Sequence, residues 1–444
     1  MFGHIGDIDT GNCRQFGRVY GTYEGSVPVL MIHDTDIIRE IYNTRFADFA
    51  NQFGDEADSA DSFQAKNIMF ANGEVWRNLR QTVTRTQTKA GIVEMTSRVE
   101  TESLLQEIQS QAGRSVKVSA LVKPYALTLA ARAMFGIDFD LFRNPMRDHI
   151  LESSQKLIIV LSPFSYLPYS AFWFAERLPR FLLRFCGLIP DTDKATLFYQ
   201  TLMRKVYQER GQNSLKSADL LQSFQQSVQN GTVSDEQRMV NSILLIAGVW
   251  GSIAETICLV LYALAKHPDK QQLVMQEVDQ KTAGQKEISY EIMTSLTYLD
   301  AFIMETLRLY PLEARGHRTA SVAGGTTVPG TGITLPKGSV INIPLISLHT
   351  DPDLWDRPHD FDPTRFLPEN KDQVKACAFM SFASGPRMCP GVNFAKHLIK
   401  HSLLPILKQF QVVDPEPASN PFPKNARKAS AAALRVTFIP RGEK

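Results

Sequence analysis

The sequence predicts a mainly α-helical protein with a small β lobe, and three features of the chain lead to that prediction. A chain of 444 residues exceeds what one hydrophobic core usually supports, so we expect two lobes around a shared interior. Helical patterns dominate from residue 34 to about residue 320. Short apolar runs separated by glycine and proline lie outside that stretch and predict strands. Because no linker interrupts the chain, we expect residues 1–444 to form one domain.

Turn and capping residues predict the first elements. GRVYGTY and SVPVLMI, separated by a Glu-Gly pair, predict a hairpin within a β-rich amino terminus. Ser234 and Gln237 form a capping-box pattern, and the helix that they open can run to His267, where Pro268 stops it. At 1.5 Å per residue that helix is about 50 Å long, enough to cross the whole molecule.

The apolar part of this helix, residues 243–265, is also long enough to span a membrane. Glu255 and small polar residues lie near its middle, where lipid disfavours polarity. A helix that is apolar on all sides also suits the centre of a large protein, so we predict that it is buried. Farther on, residues 321–346 predict small hairpins, and a helix after Cys389 is predicted to bend near Pro405 before short strands close the chain.

Composition and charge exclude several classes of protein. The chain is 43% hydrophobic and 21% charged, as in an ordinary globular protein. The net charge is +2 and the charges are interspersed, so we expect no nucleic acid partner. The five cysteines are far apart without a C-x-x-C pair, which argues against a disulfide framework and against a zinc or iron–sulfur cage, and favours a reducing compartment. They are Cys13, Cys186, Cys258, Cys377 and Cys389.

One cysteine has unusual neighbours, in the segment FASGPRMCPG at residues 382–391. Gly385 and Gly391 permit the backbone to approach a flat, bulky group closely. Arg387 can pair with a carboxylate. Pro390 suits the first position of a helix, so we expect Cys389 at a helix amino terminus, where the dipole and free amides stabilise a thiolate.

This segment resembles the haem-binding loop F-x-x-G-x-R-x-C-x-G of the cytochrome P450 family. It matches all five defining positions: Phe382, Gly385, Arg387, Cys389 and Gly391. The resemblance implies the family's fold, with haem b between a long central helix and this loop. It implies Cys389 as the axial ligand of the iron and O₂ as co-substrate, in a family whose thiolate favours O–O cleavage.

A second pattern resembles the structural clamp of that family. Glu305 and Arg308 in ETLRLYP resemble its E-x-x-R, and Arg365 in FDPTRF resembles the arginine that completes the triad. The resemblance implies a buried ionic clamp with a structural role. From the residues alone, the alternative is a solvated ion pair on a helix surface.

A third set resembles residues that hold the haem propionates. Trp76 and Arg80 in EVWRNLR resemble the family's W-x-x-x-R helix, and Arg318 in RGHR resembles another propionate partner, with Arg315 the weaker candidate. Together with Arg387, these side chains can share two carboxylates. The alternative for the first pair is a core tryptophan beside a solvated arginine.

Within the family, LYALAKHP, METLRLYPLEARGHR and other segments resemble the microsomal clan that contains the drug-oxidising 3A enzymes and thromboxane synthase. Enzymes of that clan begin with a membrane anchor, and this sequence begins beyond the place where the anchor ends. The resemblance implies the cytosolic face of the endoplasmic reticulum membrane, NADPH–cytochrome P450 reductase as electron donor, and a monomer. The segment from Leu157 to Pro190, apolar and aromatic but broken by charges, favours contact with a membrane surface over two core-facing helices.

The central helix departs from the family pattern A-G-x-D/E-T. Counting back from Pro268 puts Gly251 in the acid position and Ser252 in the threonine position. Counting forward from the Ala-Gly pair puts Trp250 and Gly251 there instead. Neither register supplies the acid, and only the first supplies a hydroxyl.

These positions leave the reaction open, because oxygen activation needs a proton donor. Our candidates are Ser252, with Glu255 and Thr256 one turn beyond it. The first interpretation is a monooxygenase that acts on an apolar small-molecule substrate, whose pocket is expected along residues 51–70, near Trp250 and after Tyr310. A peroxide isomerase or dehydratase of the thromboxane-synthase type is one alternative, and a haem-binding protein without turnover is another.

Overall fold

A computed structural model describes residues 2–52, 66–161, 193–212, 219–285, 288–416 and 433–442. Within these ranges the protein is mainly helical with small sheets, which confirms the predicted fold class. The helices are α1 (Phe2–Phe16), α2 (Thr35–Arg39), α3 (Gly73–Thr84), α4 (Lys89–Ser97), α5 (Glu102–Ser110), α6 (Val118–Phe135), α7 (Arg147–Leu161), α8 (Asp193–Gln212), α9 (Leu220–Gln229), α10 (Asp235–Lys266), α11 (Pro268–Thr282), α12 (Tyr290–Ser295), α13 (Thr297–Leu309), α14 (Leu345–His349) and α15 (Val392–Gln409). The strands are β1 (Val19–Glu24), β2 (Val27–Ile32), β3 (Ser115–Lys117), β4 (Arg315–Thr319), β5 (Thr326–Thr327), β6 (Thr334–Leu335), β7 (Val340–Pro344), β8 (Phe410–Val413) and β9 (Arg435–Pro440).

Helix α10 is the predicted long central helix. Its amino end carries the complete capping box, in which Gln237 N–H donates to Ser234 Oγ at 3.1 Å and Ser234 N–H donates to Gln237 Oε1 at 2.8 Å. The 32 residues end at Lys266, and Pro268 opens α11. By length and apolarity α10 alone, among the described helices, could cross a membrane, but 67% of its most apolar window is buried. The predicted burial is confirmed.

Three hydrophobic clusters of buried residues lie in the described part of the chain, and the two larger ones lie beside the cysteine segment. The larger of these two gathers apolar side chains from α6, α10, α13 and α15. The smaller of the two lies beside the sheet and includes Ile32, Ile341 and Ile343. The cysteine segment is next to both, since Phe382 packs against the first cluster and Met380 belongs to the second.

The main sheet has the strand order β1-β2-β7-β4. The predicted hairpin is confirmed: β1 pairs antiparallel with β2, and Val19 faces Ile32. Strands β5 and β6 form one of the small hairpins expected in residues 321–346. However, β7 pairs with β2 in parallel and with β4 antiparallel, so this strand belongs to the main sheet.

The amino terminus corrects the sequence-based prediction, because a helix, α1, precedes the strands there. Three glycines and several small polar residues make this segment a poor helix former on its own. Tertiary contacts stabilise it: Gly6 lies so close to Ile346 that an added Cβ would fall 2.8 Å from that side chain. Asp9 is buried and forms a bidentate ion pair with Arg315 of β4.

Candidate functional site

The cysteine loop, residues 380–391, is held by its own backbone. Ala383 N–H donates to the Met380 carbonyl, and Cys389 N–H donates to the Phe382 carbonyl, both at 2.9 Å. The Phe382 side chain packs, partly buried, against the larger core. The position of Cys389 therefore depends on how the first residues of the loop are anchored.

The two glycines of the loop have different surroundings. Gly385 has a φ of +70°, and a Cβ there would lie 1.8 Å from the Tyr42 carbonyl oxygen. It therefore permits close approach to the protein's own π-helical turn, Glu40–Thr44, while its approach to a flat group stays a prediction. At Gly391 an added Cβ would meet no described atom within 4 Å, which leaves room for a bulky group, so its expected approach to a flat group also stays a prediction.

Helix α15 starts later than the sequence predicts. Gly391 is its N-cap, and the first helical hydrogen bond runs from Ala395 N–H to the Gly391 carbonyl at 2.7 Å. Pro390 lies before the cap and does not open the helix, so that prediction is wrong. Glycine is tolerated at an N-cap. Because Gly391 takes that position, the helix starts at Val392, after the proline. Cys389 thus lies two residues before the N-cap.

Cys389 is partly buried and forms no disulfide with the other cysteines that the structure describes. Burial raises the pKa of its thiol, and the hydrogen bond from the Gly391 backbone together with the positive charge of Arg80 lowers the pKa only in part. The helix terminus alone therefore does not produce a thiolate, as the sequence suggested it would. A metal cation on the sulfur would, because a coordinating thiol loses its proton.

Arg387 is a buried cation near this cysteine. Its Nε donates to the Ala50 carbonyl at 2.6 Å, and one Nη donates to the Ala71 carbonyl at 2.8 Å. Its guanidinium lies 4.4 Å from the ring centroid of Trp76. The other terminal nitrogen, Nη1, is buried and has no hydrogen-bond partner among the residues that the structure describes.

Arg318, on β4, is a second buried cation, with 2% of its surface exposed. Its guanidinium lies over the Tyr42 ring at 4.0 Å and donates one hydrogen bond to the His317 carbonyl. Its Nε and Nη2 are buried, and no group in the described ranges forms a hydrogen bond with them.

No carboxylate among the described residues pairs with Arg318 or Arg387. Burial, together with the positive charges of Arg318 and Arg80, lowers the pKa of Arg387 to about 9, and burial also lowers the pKa of Arg318. Buried charges without a counterion are strongly unfavourable. Three orphaned N–H groups on two guanidiniums therefore fit a ligand with carboxylates, and the two haem propionates have that chemistry.

Helix α3 brings the remaining predicted propionate residues to the same place. The Trp76 ring lies between Phe46, at 5.8 Å, and the Arg387 guanidinium. Arg80 donates to the carbonyl of Met388, the residue before the cysteine. Burial lowers the pKa of Arg80, and Cys389 opposes that effect. The alternative of a core tryptophan beside a solvated arginine therefore does not hold, because Trp76 contacts Arg387 and Arg80 contacts the cysteine loop.

Arg315, the weaker candidate for propionate binding, has other partners. It forms ion pairs with Asp9 and with Glu24. Asn342 also donates to Glu24, at 2.7 Å. This network connects α1 to the main sheet, so Arg315 acts in the fold, and we assign the propionate role to Arg318.

The central helix has one accessible stripe within an otherwise buried stretch. It consists of Leu245, Gly248, Val249, Ser252 and Glu255, spaced as one helix face, with Gly251 partly accessible beside it. Trp250 points elsewhere: it is fully buried and its Nε1 donates to the Lys123 carbonyl of α6 at 3.0 Å. The stripe places Ser252 on the face that can meet a ligand, and it contradicts the register that uses Trp250.

The three candidates for proton delivery differ in whether their side chains lie on this accessible stripe. Ser252 Oγ is accessible and donates to the Gly248 carbonyl at 2.8 Å. Glu255 is exposed on the same stripe. Thr256 is 3% exposed and its hydroxyl donates to the Ser252 carbonyl at 2.8 Å, within the helix. This geometry removes Thr256 from the proton-delivery candidates.

The structure brings the three clamp residues together. Glu305 and Arg308 are both 0% exposed and share two hydrogen bonds of 2.7 Å. Arg365 Nε lies 3.5 Å from Glu305 Oε1, which also accepts the Asp362 N–H at 2.8 Å. Burial raises the pKa of Glu305 and the two arginines oppose it. The pair is therefore not a solvated surface pair. Arg308 also donates to the carbonyls of His349, Pro358 and Asp360.

Sequence reasoning missed the residues that connect this clamp to the cysteine loop. Ser381 Oγ donates to the Leu307 carbonyl at 2.8 Å, and the buried His349 ring contacts both Arg308 and Met380. A histidine in LISLHTDPDLW carries no local signal for such a role, because its partners are far away in the chain.

Several predictions lie outside the described residues. The membrane-contact segment from Leu157 to Pro190 is described only as far as Leu161, the end of α7. Residues 53–65 of the expected pocket loop and Cys186 also lie outside.

Comparison with known proteins supports the haem-binding interpretation. Residues 3–435 match the family model of cytochrome P450. Similar curated proteins include a lithocholate 6-beta-hydroxylase of Mesocricetus auratus, 28% identical over 92% of this chain and 81% of that protein. Cytochrome P450 3A2 of Rattus norvegicus is 28% identical over 91% of this chain and 81% of its own, and cytochrome P450 3A29 of Sus scrofa is 28% identical over 89% and 79%. With the cysteine loop, the orphaned arginines and the central helix, these matches establish that the chain belongs to the cytochrome P450 family of haem-thiolate monooxygenases.

Proposed function

We propose that this monooxygenase inserts one atom of O₂ into an apolar organic substrate, with electrons that come from NADPH through a flavoprotein reductase. The observation that carries the proposal is the accessible stripe of the central helix, where Leu245 and Val249 offer an apolar surface and Ser252 offers a hydroxyl. One relative is by name a lithocholate 6-beta-hydroxylase.

The residues around the cysteine loop would hold the haem. Cys389 would bind the iron, and Arg80, Arg318 and Arg387 would pair with the propionates, with Trp76 beside them. When bound, the haem supplies O₂ binding, electron uptake and O–O cleavage. The protein supplies buried counterions, an apolar enclosure and a proton at Ser252 Oγ.

Ser252 is the proposed proton-delivery residue. Its hydroxyl donates to a carbonyl of its own helix, a bond that a serine can exchange for one to a ligand by rotating χ1. It lacks the methyl group that restricts threonine, so its rotamer is less fixed. Since Gly251 occupies the acid position, we expect poor coupling, with much of the NADPH spent on hydrogen peroxide.

A basic groove beside the loop supports the proposed reductase partner. A groove of about 360 Å³ runs along α3 and is lined by Arg77, Arg80 and Arg85 together with Trp76. Arg77 and Arg85 are exposed there and can attract an acidic protein partner at low ionic strength, whereas Arg80 turns to the Met388 carbonyl and the proposed haem site. By resemblance to the microsomal clan, we place the protein as a monomer at the cytosolic face of the endoplasmic reticulum membrane, with residues 1–444 in one domain.

Peroxide isomerisation is the second candidate, favoured by the absence of an acid at Gly251. It needs no reductase, because its substrate arrives with the O–O bond already made. The test combines purified protein, NADPH, a microsomal reductase and a panel of apolar substrates, and product per NADPH is measured. Turnover supports the proposal. Rearrangement of an organic peroxide without NADPH would replace the monooxygenase with the isomerase. If neither activity is detected, a haem-binding protein without turnover is favoured.

A further inference from the structure

His349 occupies a fully buried position between the clamp and the cysteine loop. Its Nδ1 lies 3.0 Å from the Arg308 carbonyl oxygen, and its Nε2 lies 2.9 Å from the Met380 backbone nitrogen. A carbonyl only accepts and a backbone N–H only donates. The ring is therefore the neutral tautomer with the proton on Nδ1. The ring also stacks on Phe379, with centroids 5.3 Å apart and planes 18° apart.

The contacts of His349 form a continuous path from the clamp to the haem ligand. The Arg308 guanidinium donates a hydrogen bond to the His349 carbonyl, and the Arg308 carbonyl accepts a hydrogen bond from the His349 Nδ1–H. Nε2 then holds the N–H of Met380, whose carbonyl accepts the N–H of Ala383.

That turn determines where the Phe382 carbonyl points. This carbonyl accepts the N–H of Cys389 at 2.9 Å, so the path ends on the backbone of the cysteine itself. The neighbouring Ser381 hydroxyl, bonded to Leu307, is a parallel anchor on the same helix end.

We propose that His349 is a positioning residue that transmits the rigidity of the Glu305–Arg308 clamp to the cysteine loop and thereby keeps the sulfur on the haem iron. The inference rests on the proposed role of Cys389 as the haem ligand. Only a neutral imidazole offers one donor and one acceptor on opposite sides of a flat ring that can stack in this dry site. Of the two hydrogen bonds of the His349 ring, the one from the Met380 N–H fixes the loop that carries Cys389.

Three substitutions separate this role from simple stabilisation. His349→Phe keeps the ring and its stack but removes both hydrogen bonds. His349→Gln extends far enough to place an acceptor near the Met380 N–H, whereas His349→Asn is one atom shorter and reaches only the Arg308 side. Gln271→Met is the matched control, because Gln271 is buried and makes three hydrogen bonds to the Leu264 and Val412 backbones, away from the cysteine loop.

The readout is the ferrous carbon monoxide complex of the haem-loaded protein. The rate at which its long-wavelength, thiolate-specific Soret band converts to the short-wavelength form measures loss of the thiolate, and urea unfolding of each variant is followed in parallel. We expect His349→Phe and His349→Asn to convert about tenfold faster than wild type, since a buried hydrogen bond to the loop is lost. His349→Gln should convert near the wild-type rate, and Gln271→Met should unfold more readily without faster conversion.

The outcomes distinguish the two claims. A wild-type protein without the long-wavelength band would overturn the proposed haem ligand itself. A wild-type band that converts at the same rate in His349→Phe would overturn the positioning role alone. If conversion merely follows urea stability, so that Gln271→Met converts as fast as His349→Phe, His349 is only a stabilising residue and the inference is wrong.

Discussion

Glu305 is the clamp residue whose removal is predicted to affect folding most. It is 0% exposed and holds three groups: the Arg308 guanidinium through two hydrogen bonds of 2.7 Å, the Arg365 guanidinium at 3.5 Å, and the Asp362 N–H at 2.8 Å. Glu305→Ala leaves Arg308 fully buried without a counterion and Arg365 with only its bond to the Arg357 carbonyl. Breaking a buried pair on one side costs about 3–5 kcal/mol.

That loss is a large part of the stability of a natural protein, which is about 5–15 kcal/mol. We therefore expect Glu305→Ala to be mostly insoluble or free of haem, measured as soluble yield, haem-to-protein ratio and urea midpoint. Glu291→Ala is the matched control, since Glu291 pairs with Lys89 on the surface and both side chains are exposed. The control should behave as wild type. A soluble Glu305→Ala protein with full haem content and an unchanged midpoint would refute the reasoning.

Two further predictions concern the haem site. Arg318→Met should make the haem-free protein more resistant to urea, because it removes a buried unpaired cation, yet it should release haem faster to a scavenger protein. The control Arg143→Met, at an exposed arginine, should do neither. Equal haem release from both variants would contradict the propionate role. Ser252→Thr should raise the product formed per NADPH and Ser252→Ala should lower it, measured as product, NADPH and hydrogen peroxide in one assay; unchanged coupling in both would mean that Ser252 does not deliver protons.

Local signals in the sequence were sufficient for several elements. The capping box at Ser234, the hairpin β1–β2 and the stop at Pro268 depend on contacts between residues close in the chain. The cysteine loop was predictable for the same reason, since its five defining positions lie within ten residues. Hydrophobicity also predicted that the central helix is buried.

Features that depend on distant contacts could not be predicted in this way. Helix α1 forms although Gly6 and Asp9 lie in a segment of poor helix propensity, because Arg315 and Ile346 hold it from the far end of the chain. Gly385 is needed because of the Tyr42 carbonyl, more than three hundred residues earlier.

The site shows the same division between near and distant contacts. The sequence left two registers for the acid and threonine positions of the central helix, and only one of them uses Ser252. The burial of Trp250 against α6 was needed to choose between them. Thr256 was a candidate by spacing, but it is 3% exposed and lies off the accessible stripe that carries Ser252. The start of α15 shifted by two residues, from Pro390 to Val392, because Gly391 is the N-cap, which local propensity does not determine.

The measurement that tests the central claim most directly is the ferrous carbon monoxide spectrum of the wild-type chain beside two cysteine variants. Cys389 as the iron ligand predicts the long-wavelength Soret band of a thiolate haem in the wild type and its loss in Cys389→Ala. Cys377→Ala, which alters another partly buried cysteine close by in the chain, should keep the band. Persistence of the band in Cys389→Ala, or its loss only in Cys377→Ala, would contradict the assignment.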